Sequence, residues 1–184
     1  MSDVEVFPPD WPTPVDDGAA SHLVGTRIPH VPLPATQGTE VDLAALPGRS
    51  VVFAYPRTGS PGGQPIVPDW DLIPGARGCT AQACTFRDLS ESFAILGTRV
   101  FGLSTQATEY QREAAARLHL PFPLLSDERL QLAQAMRLPL FQVAGLTLLK
   151  RLTMVIDAGV VSHIFYPVFP PGRSADDVLN WLRR

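Results

Sequence analysis

Short apolar runs alternate with amphipathic segments along the middle of this chain, and this alternation constrains the fold more than any other feature. Residues 51–55 (VVFAY) form a continuous apolar run that ends at Pro56, which is typical of a strand covered on both faces. Residues 99–104 (RVFGLS) indicate a second buried strand. Apolar residues recur at helical spacing in residues 81–96, and two further helices are predicted at residues 109–118 and 128–136. Thr108 and Gln111 have the spacing of a capping box at the start of the second of these helices.

The carboxyl-terminal part of the chain indicates a hairpin followed by a helix. Residues 153–156 and 160–165 flank a tight turn at Asp157-Ala158-Gly159, which is the strongest hairpin signal in the sequence. The last helix is expected to begin near Ser174. The order of the elements predicts an α/β domain whose mixed central sheet, with a parallel part and an antiparallel edge, is flanked by helices.

Composition and charge exclude several classes of function. The chain has 184 residues, 45% of them hydrophobic and 18% charged, which is enough for one domain with a sizeable core. Its formal net charge is −3 and no run of Lys or Arg is longer than a pair, which argues against a nucleic acid or an anionic membrane as partner. No apolar stretch approaches the roughly 20 residues that span a bilayer. The acidic start lacks a signal-peptide pattern, so we expect a cytoplasmic location, where two cysteines are redox-active or inert.

Two segments do not follow the alternation. Residues 1–20 are rich in proline and acidic residues, and we interpret them as an arm that precedes a domain at 21–184. Residues 57–78 carry four prolines and five glycines between a strand and a helix. Such connections usually have about 2–6 residues, so a loop of this length is functional or disordered. It leads directly into Cys79.

The cysteine pair is the main candidate for chemistry. Cys79 lies where the long loop becomes a helix, and a helix amino terminus favours the thiolate that acts as a nucleophile. Arg151 opens a strand that can bring its positive charge near this thiol. Cys84 follows five residues later, and an intact helix keeps two such Cα atoms roughly 8 Å apart. A disulfide requires a separation below about 7 Å, so this pair can bond only if the helix unwinds locally.

Other interpretations of the two cysteines remain open from spacing and position alone. Isolated cysteines are often small buried apolar residues without a chemical role. A zinc site is not favoured, because the spacing is wider than usual and the histidines, His22, His30, His119 and His163, are scattered. We therefore predict no bound metal.

The segment around the cysteines resembles a known family. Residues 78–88 (GCTAQACTFRD) closely resemble the active-site segment of the Q-type peroxiredoxins, also called bacterioferritin comigratory proteins. Further similarity occurs in the same order along the chain, at residues 51–56, 101–104 (FGLS), 120–127 (LPFPLLSD) and 151–157 (RLTMVID). The resemblance covers about residues 21–184 and implies a thioredoxin-like fold.

The resemblance also implies a mechanism. Cys79 matches the cysteine that attacks the peroxide and becomes a sulfenic acid, and Cys84 matches the cysteine that resolves it as an intramolecular disulfide. Arg151 matches the arginine that binds the peroxide and stabilises the thiolate, and Gln82 matches a position that holds this arginine. The implied substrates are hydrogen peroxide and small organic hydroperoxides. The implied partner is a thioredoxin-like dithiol reductant, and no cofactor is implied.

The loop before Cys79 departs from the family pattern, in which a proline and then a threonine or serine precede the cysteine at fixed spacing. Counting back from Cys79 places Ala76 in the hydroxyl position. Counting forward from Pro56 places Ser60 there, but the cysteine position then falls at Gly63. An insertion at residues 64–78 explains both counts. The hydroxyl that orients the substrate is then left open among Ser60, Thr58 and Thr80.

The insertion itself has two possible roles, a lid or a subunit contact, with Trp70, Leu72 and Ile73 as its apolar anchor. The oligomeric state is expected to be a monomer or a weak homodimer. Two alternative functions remain: a thiol–disulfide oxidoreductase without peroxidase activity, and a non-enzymatic binding module of the same fold.

Overall fold

The computed structural model describes residues 11–59 and 62–184, and a five-stranded mixed sheet lies at its centre. The strands of the protein are β1 (Pro32–Pro34), β2 (Glu40–Asp42), β3 (Arg49–Ala54), β4 (Thr98–Ser104), β5 (Leu124–Ser126), β6 (Leu140–Val143), β7 (Leu146–Leu149), β8 (Leu152–Asp157) and β9 (Val160–Phe165). The central sheet has the order β5-β4-β3-β8-β9. Strands β3, β4 and β5 are parallel, whereas β8 pairs antiparallel with β3 and β9 pairs antiparallel with β8. The predicted mixed sheet with an antiparallel edge is confirmed.

The middle strand of the sheet is covered on both faces, as its apolar run predicted. Side chains alternate along a strand, so Val52 and Ala54 enter one core while Val51, Phe53 and Tyr55 enter the other. All five are almost completely buried. Cys79 belongs to the second core, where its helix packs on the sheet.

Five α-helices surround the sheet in the described part of the chain. They are α1 (Cys79–Asp88), α2 (Ser90–Ile95), α3 (Thr108–Arg117), α4 (Gln131–Met136) and α5 (Ser174–Leu182). The segment predicted as a single helix, residues 81–96, is interrupted at Leu89, whose φ of −104° and ψ of 9° are not helical. The break separates α1 from α2 but leaves Phe86 and Phe93 with ring centroids 5.5 Å apart in the same core.

The predicted starts of helices α3 and α4 are only partly correct. The capping box is wrong: Ala107 is the N-cap of α3, and the buried amide of Gln111 donates instead to the carbonyl of Leu125 on β5. Helix α4 begins at Gln131 rather than at residue 128. The carboxylate of Asp127 accepts the backbone N–H groups of residues 132 and 133 and so anchors this later start.

Two hairpins were not predicted. Strands β1 and β2 pair as one, and strands β6 and β7 pair as the other. The turn of the second hairpin is formed by Ala144 and Gly145, both with positive φ. An alanine rarely adopts that conformation, so the turn signal was weak in the sequence.

The amino-terminal segment and the insertion pack against the domain near Cys79. Ala20 is buried, and the ring of Trp11 stacks 4.4 Å from the guanidinium of Arg77. Residues 1–10 lie outside the described residues, so the arm at residues 1–20 stays a prediction. Of the expected apolar anchors in the insertion, Trp70 lies against Phe141 with ring centroids 6.5 Å apart. Leu72 as an anchor is wrong, because its side chain points to solvent and is 68% exposed.

Candidate active site

Cys79 is the first residue of α1, at the carboxyl end of the sheet's middle strand. The residue before it, Gly78, has a φ of 95°, which only glycine adopts readily, and this lets the long loop turn into the helix. The thiol is 4% exposed. Its Sγ lies 3.2 Å from Nη2 of Arg151 and donates to the carbonyl of Ala76 at 3.5 Å. The guanidinium of Arg151 is therefore in direct contact with the sulfur of Cys79.

Arg151 connects residues 75–77 of the insertion to the central sheet by hydrogen bonds. It lies between β7 and β8 and is 3% exposed. Besides Cys79, its Nη2 donates to the carbonyls of residues 75, 76 and 77 at 3.2, 3.3 and 2.9 Å. The arginine therefore fixes the backbone of the segment that precedes the thiol. The sequence predicted that this residue lies near Cys79, and the structure brings the two together.

Gln82 forms hydrogen bonds with both Arg151 and Ser174, the first residue of helix α5. Its Oε1 accepts a hydrogen bond from Nη1 of Arg151 at 2.5 Å, and its Nε2 donates to Oγ of Ser174 at 3.2 Å. The Ser174 hydroxyl also lies 3.3 Å from the hydroxyl of Thr153 on β8. Ser174 and Thr153 were not recognised as site residues. The sequence signal for both was weak. Thr153 is one polar residue inside the apolar run of β8, and Ser174 was already explained as the start of a helix.

Tyr55 places a neutral phenol in the same core as the thiol. Burial raises the pKa of Tyr55 far above its usual range, and a negative charge on Cys79 raises this pKa further. The hydroxyl accepts a hydrogen bond from Nε2 of Gln111 at 3.4 Å. The phenol is therefore uncharged at neutral pH, and it adds no anion beside the thiol.

Cys84 lies in the same helix as Cys79 and is partly buried. Both cysteines are free thiols, and the helix between them is continuous. Burial raises the pKa of the Cys84 thiol and Asp88 adds to the rise, while the guanidiniums of Arg87 and Arg117 partly offset it. The second thiol is therefore held in its neutral, less reactive form while α1 is intact.

This pKa leads to a prediction for the reduced protein. The thiolate is the form that reacts with iodoacetamide, and a raised pKa lowers its fraction at neutral pH. In a Cys79→Ser variant, we expect the alkylation rate of Cys84 to reach half its maximum at a pH above the usual value of about 8.5. The same variant in urea should show the usual midpoint. Equal midpoints in both conditions, measured by mass spectrometry, would contradict the burial of Cys84.

Comparison with known proteins identifies the family. The Redoxin family model matches residues 23–180. Peroxiredoxin Q of Sedum lineare, a chloroplastic protein, is 33% identical over 161 residues, covering 86% of this chain and 77% of the relative. Peroxiredoxin Bcp of Escherichia coli K12 is 31% identical over 164 residues, covering 86% of this chain and 94% of that protein. The chain belongs to the Q-type peroxiredoxins of the Redoxin family.

Solved structures agree with this assignment. The crystal structure of Peroxidoxin BcpB from Mycobacterium tuberculosis aligns with a TM-score of 0.70 and 29% identity, covering 87% of this chain and 96% of that one. Peroxiredoxin Q of Xanthomonas campestris aligns with a TM-score of 0.67 and 22% identity, covering 95% of this chain and 97% of that one. The second likeness concerns the fold alone. The predicted thioredoxin-like fold of this peroxiredoxin is confirmed.

The residues expected to orient the substrate in this peroxiredoxin are not gathered around the Cys79 thiol as Arg151 and Gln82 are. Thr58 is buried, but its hydroxyl donates to Oε1 of Gln106 at 3.2 Å. Thr80 is exposed on the first turn of α1. Pro56 is buried, and its carbonyl accepts from the hydroxyl of Ser104 at 3.1 Å. Ser60 lies outside the described residues.

Backbone groups occupy the position where the family pattern has a hydroxyl. Ala76, three residues before Cys79, is buried and directs its carbonyl to both the thiol and Arg151. Gln106 was not predicted. It binds the backbone N–H of Thr58 at 2.9 Å and the carbonyl of Thr58 at 3.1 Å, which fixes the loop before the insertion.

Two other features bear on the expected partners. Within residues 11–59 and 62–184, no group of three metal-ligating side chains lies close enough to hold an ion. No helix in the described part of the chain has the length and apolar character to cross a membrane.

Proposed function

We propose that this peroxiredoxin reduces hydrogen peroxide and small organic hydroperoxides through Cys79, with Cys84 as the resolving thiol. The observation that carries the proposal is the Cys79 Sγ, buried at the start of α1 and 3.2 Å from Nη2 of Arg151. The thiolate is the form that attacks a peroxide, and the buried guanidinium of Arg151 places a cationic group beside its sulfur.

In the first step, the Cys79 thiolate attacks one oxygen of the peroxide. The O–O bond breaks, the sulfur is oxidised to a sulfenic acid, and the leaving oxygen takes a proton to become water or an alcohol. Arg151 is proposed to stabilise the charge that moves from sulfur to the leaving oxygen. Gln82 is proposed as a positioning residue that holds the guanidinium, because their bond is 2.5 Å long and buried.

In the second step, Cys84 attacks the sulfenic acid, an S–S bond forms, and water leaves. The first turns of α1 must unwind for this bond to form, because the intact helix keeps the two Cα atoms roughly 8 Å apart. The start of the helix is held by the backbone bond from Gln82 to Gly78, at 2.9 Å, and by the side-chain bonds of Gln82. Unwinding also exposes Cys84 and removes the burial that raises its pKa.

A dithiol reductant of the thioredoxin type is proposed to restore both thiols by disulfide exchange. This recycling requires a reducing compartment, and we propose the cytoplasm. No cofactor takes part in any of these steps. The remaining expectations, a monomer or weak homodimer that binds neither nucleic acid nor membrane and an arm at residues 1–20 before the domain at 21–184, stay predictions.

The test combines kinetics with peptide mapping. We expect stoichiometric hydrogen peroxide to oxidise the reduced protein far faster than it oxidises free cysteine, as followed by stopped flow. After the reaction, non-reducing digestion and mass spectrometry should find a peptide that links Cys79 to Cys84. If the two peptides stay unlinked while peroxide is consumed, the second step is wrong and the first is retained.

The same measurement separates the alternative functions. A thiol–disulfide oxidoreductase would exchange with protein disulfides but react with peroxide no faster than an ordinary thiol. A binding module without chemistry would show neither reaction. Slow oxidation by peroxide therefore contradicts the proposed function in both cases.

A further inference from the structure

Residues 11–17 (WPTPVDD) contact the segment that leads into Cys79, and we call these residues the strap. Two prolines, Pro12 and Pro14, restrict φ at their own positions and favour extended backbone at the residues before them. The strap accordingly forms neither helix nor strand. A chain that is restricted in this way loses little conformational entropy when it is held in one place.

The carboxyl end of the strap is fixed to the domain at Asp17. Its carboxylate accepts from Nζ of Lys150 at 2.6 Å and from the hydroxyl of Tyr166 at 2.7 Å. Lys150 directly precedes Arg151, and Tyr166 directly follows β9, so both contacts are made to residues next to the central sheet. This end of the strap is therefore anchored to the part of the domain that also holds Arg151.

The amino end of the strap contacts the insertion at two places. The guanidinium of Arg77 lies 4.4 Å from the centre of the Trp11 ring, which is a cation–π contact. Nη1 of Arg77 also donates to Oδ2 of Asp71 at 2.7 Å, within the insertion. A Cβ built on Gly75 would lie 3.7 Å from Cβ of Pro14, so the strap and the insertion are in close contact there as well.

The insertion residues that the strap contacts are joined directly to the reactive helix. Nη2 of Arg151 donates to the carbonyls of residues 75 and 77 at 3.2 and 2.9 Å, and it also contacts the sulfur of Cys79. The backbone N–H of Gln82 donates to the carbonyl of Gly78 at 2.9 Å and closes the first turn of α1. Opening this turn displaces Gly78 and, with it, the adjacent Arg77.

We propose that Trp11 is a positioning residue for the second step of the reaction: by holding Arg77, the strap limits the rate at which α1 unwinds and the Cys79–Cys84 disulfide forms. The proposal rests on the proposed function, since it concerns the same two thiols. A contact that exists only while the start of α1 is folded shifts the equilibrium toward the folded helix. The attack on the peroxide takes place with α1 intact and does not depend on the strap.

The first test removes the aromatic ring. In Trp11→Ala, we expect the rate constant for disulfide formation to rise about fivefold, because the cation–π contact no longer opposes unwinding. The rate constant for formation of the Cys79 sulfenic acid should stay within about twofold of the unmodified protein. Both constants come from one quenched-flow experiment with excess hydrogen peroxide, read by alkylation and mass spectrometry. Trp11→Phe keeps an aromatic face for the guanidinium, so it should restore most of the slower disulfide formation.

The second test releases the anchored end of the strap and has a matched control. Asp17→Ala removes the bonds to Lys150 and Tyr166, and it should raise the rate constant for disulfide formation about threefold. Asp16→Ala removes the same charge from the neighbouring position, where the carboxylate accepts from the backbone N–H of Gly18. Because this bond is local to the segment, the rate constant in Asp16→Ala should equal that of the unmodified protein.

Hydrogen exchange tests the strap without peroxide. In the reduced protein, we expect the backbone N–H groups of residues 82–84 to exchange about fivefold faster in Trp11→Ala, and at an unchanged rate in Asp16→Ala. An unchanged exchange rate in Trp11→Ala, or an unchanged disulfide rate constant in Trp11→Ala or Asp17→Ala, overturns the proposal. So does an equal acceleration in Asp16→Ala. Failure of the proposed function is distinguishable, because the unmodified protein would then react slowly with hydrogen peroxide while the exchange rates still respond to Trp11.

Discussion

Replacing Cys79 by serine is expected to abolish peroxide consumption, with a loss of about a thousandfold or more, because this thiolate is the nucleophile. A hydroxyl at the same position keeps the size of the side chain but is not ionised beside Arg151 at neutral pH. The rate is measured as peroxide consumed in the presence of excess thioredoxin and its reductase. Full peroxide consumption by Cys79→Ser would show that Cys79 is not the nucleophile.

Cys84→Ser is the matched variant, since it removes the other thiol from the same helix. We expect it to consume one equivalent of peroxide at an unchanged rate and then stop turning over with thioredoxin. The accumulated Cys79 sulfenic acid should be trapped by dimedone and detected by mass spectrometry. Continued turnover in Cys84→Ser would show that a different thiol resolves the intermediate.

The second large effect is expected at Arg151. Arg151→Lys keeps a positive charge but cannot bind Gln82, the thiol and the carbonyls of the insertion at once, because a lysine lacks the forked guanidinium. We expect the second-order rate constant with hydrogen peroxide to fall about a hundredfold, and to fall further in Arg151→Met. Stopped-flow measurement on the reduced variants gives both values.

Arg49→Met is the control for the loss of an arginine. Arg49 begins β3 at the end opposite to Cys79, and its Nε binds Asp157 at 2.7 Å on the surface. Surface ion pairs of this kind contribute little to stability, about 0–1 kcal/mol. The rate constant should therefore stay within about twofold of the unmodified protein. A similar loss in Arg49→Met and Arg151→Lys would mean that Arg151 acts only through the stability of the fold.

Much of the sheet was predictable because burial leaves a periodic trace in the sequence. The apolar run at residues 51–55 predicted a strand with two covered faces, and the turn at residues 157–159 predicted the hairpin of β8 and β9. The hairpin of β6 and β7 was missed because its turn uses Ala144 in a conformation that alanine rarely adopts. The break at Leu89 was missed because both halves of the segment keep helical spacing on the same apolar face.

The sequence predicted the residues that take part in the chemistry, but not the residues whose hydrogen bonds hold the site together. The positions of Cys79, Cys84 and Arg151 followed from the helix start, the spacing and the strand that Arg151 opens, together with the family resemblance. The contacts of Ser174, Thr153 and Gln106 were not predictable, because each is a hydrogen bond between segments distant in the chain. Such bonds leave no periodic pattern, and a serine at a helix start is already explained by local structure.

The sequence by itself therefore determined the α/β sheet, the family and the two cysteines in one helix, since these depend on periodicity, spacing and residue type. Only the tertiary structure decided what surrounds the thiol. It placed the carbonyl of Ala76 where the family pattern has a hydroxyl, and it brought Pro14 and Val15 to the same cavity as Arg151. These arrangements depend on how the amino-terminal segment and the insertion pack against each other, and that packing is set by non-local contacts such as those of Asp17 with Lys150 and Tyr166.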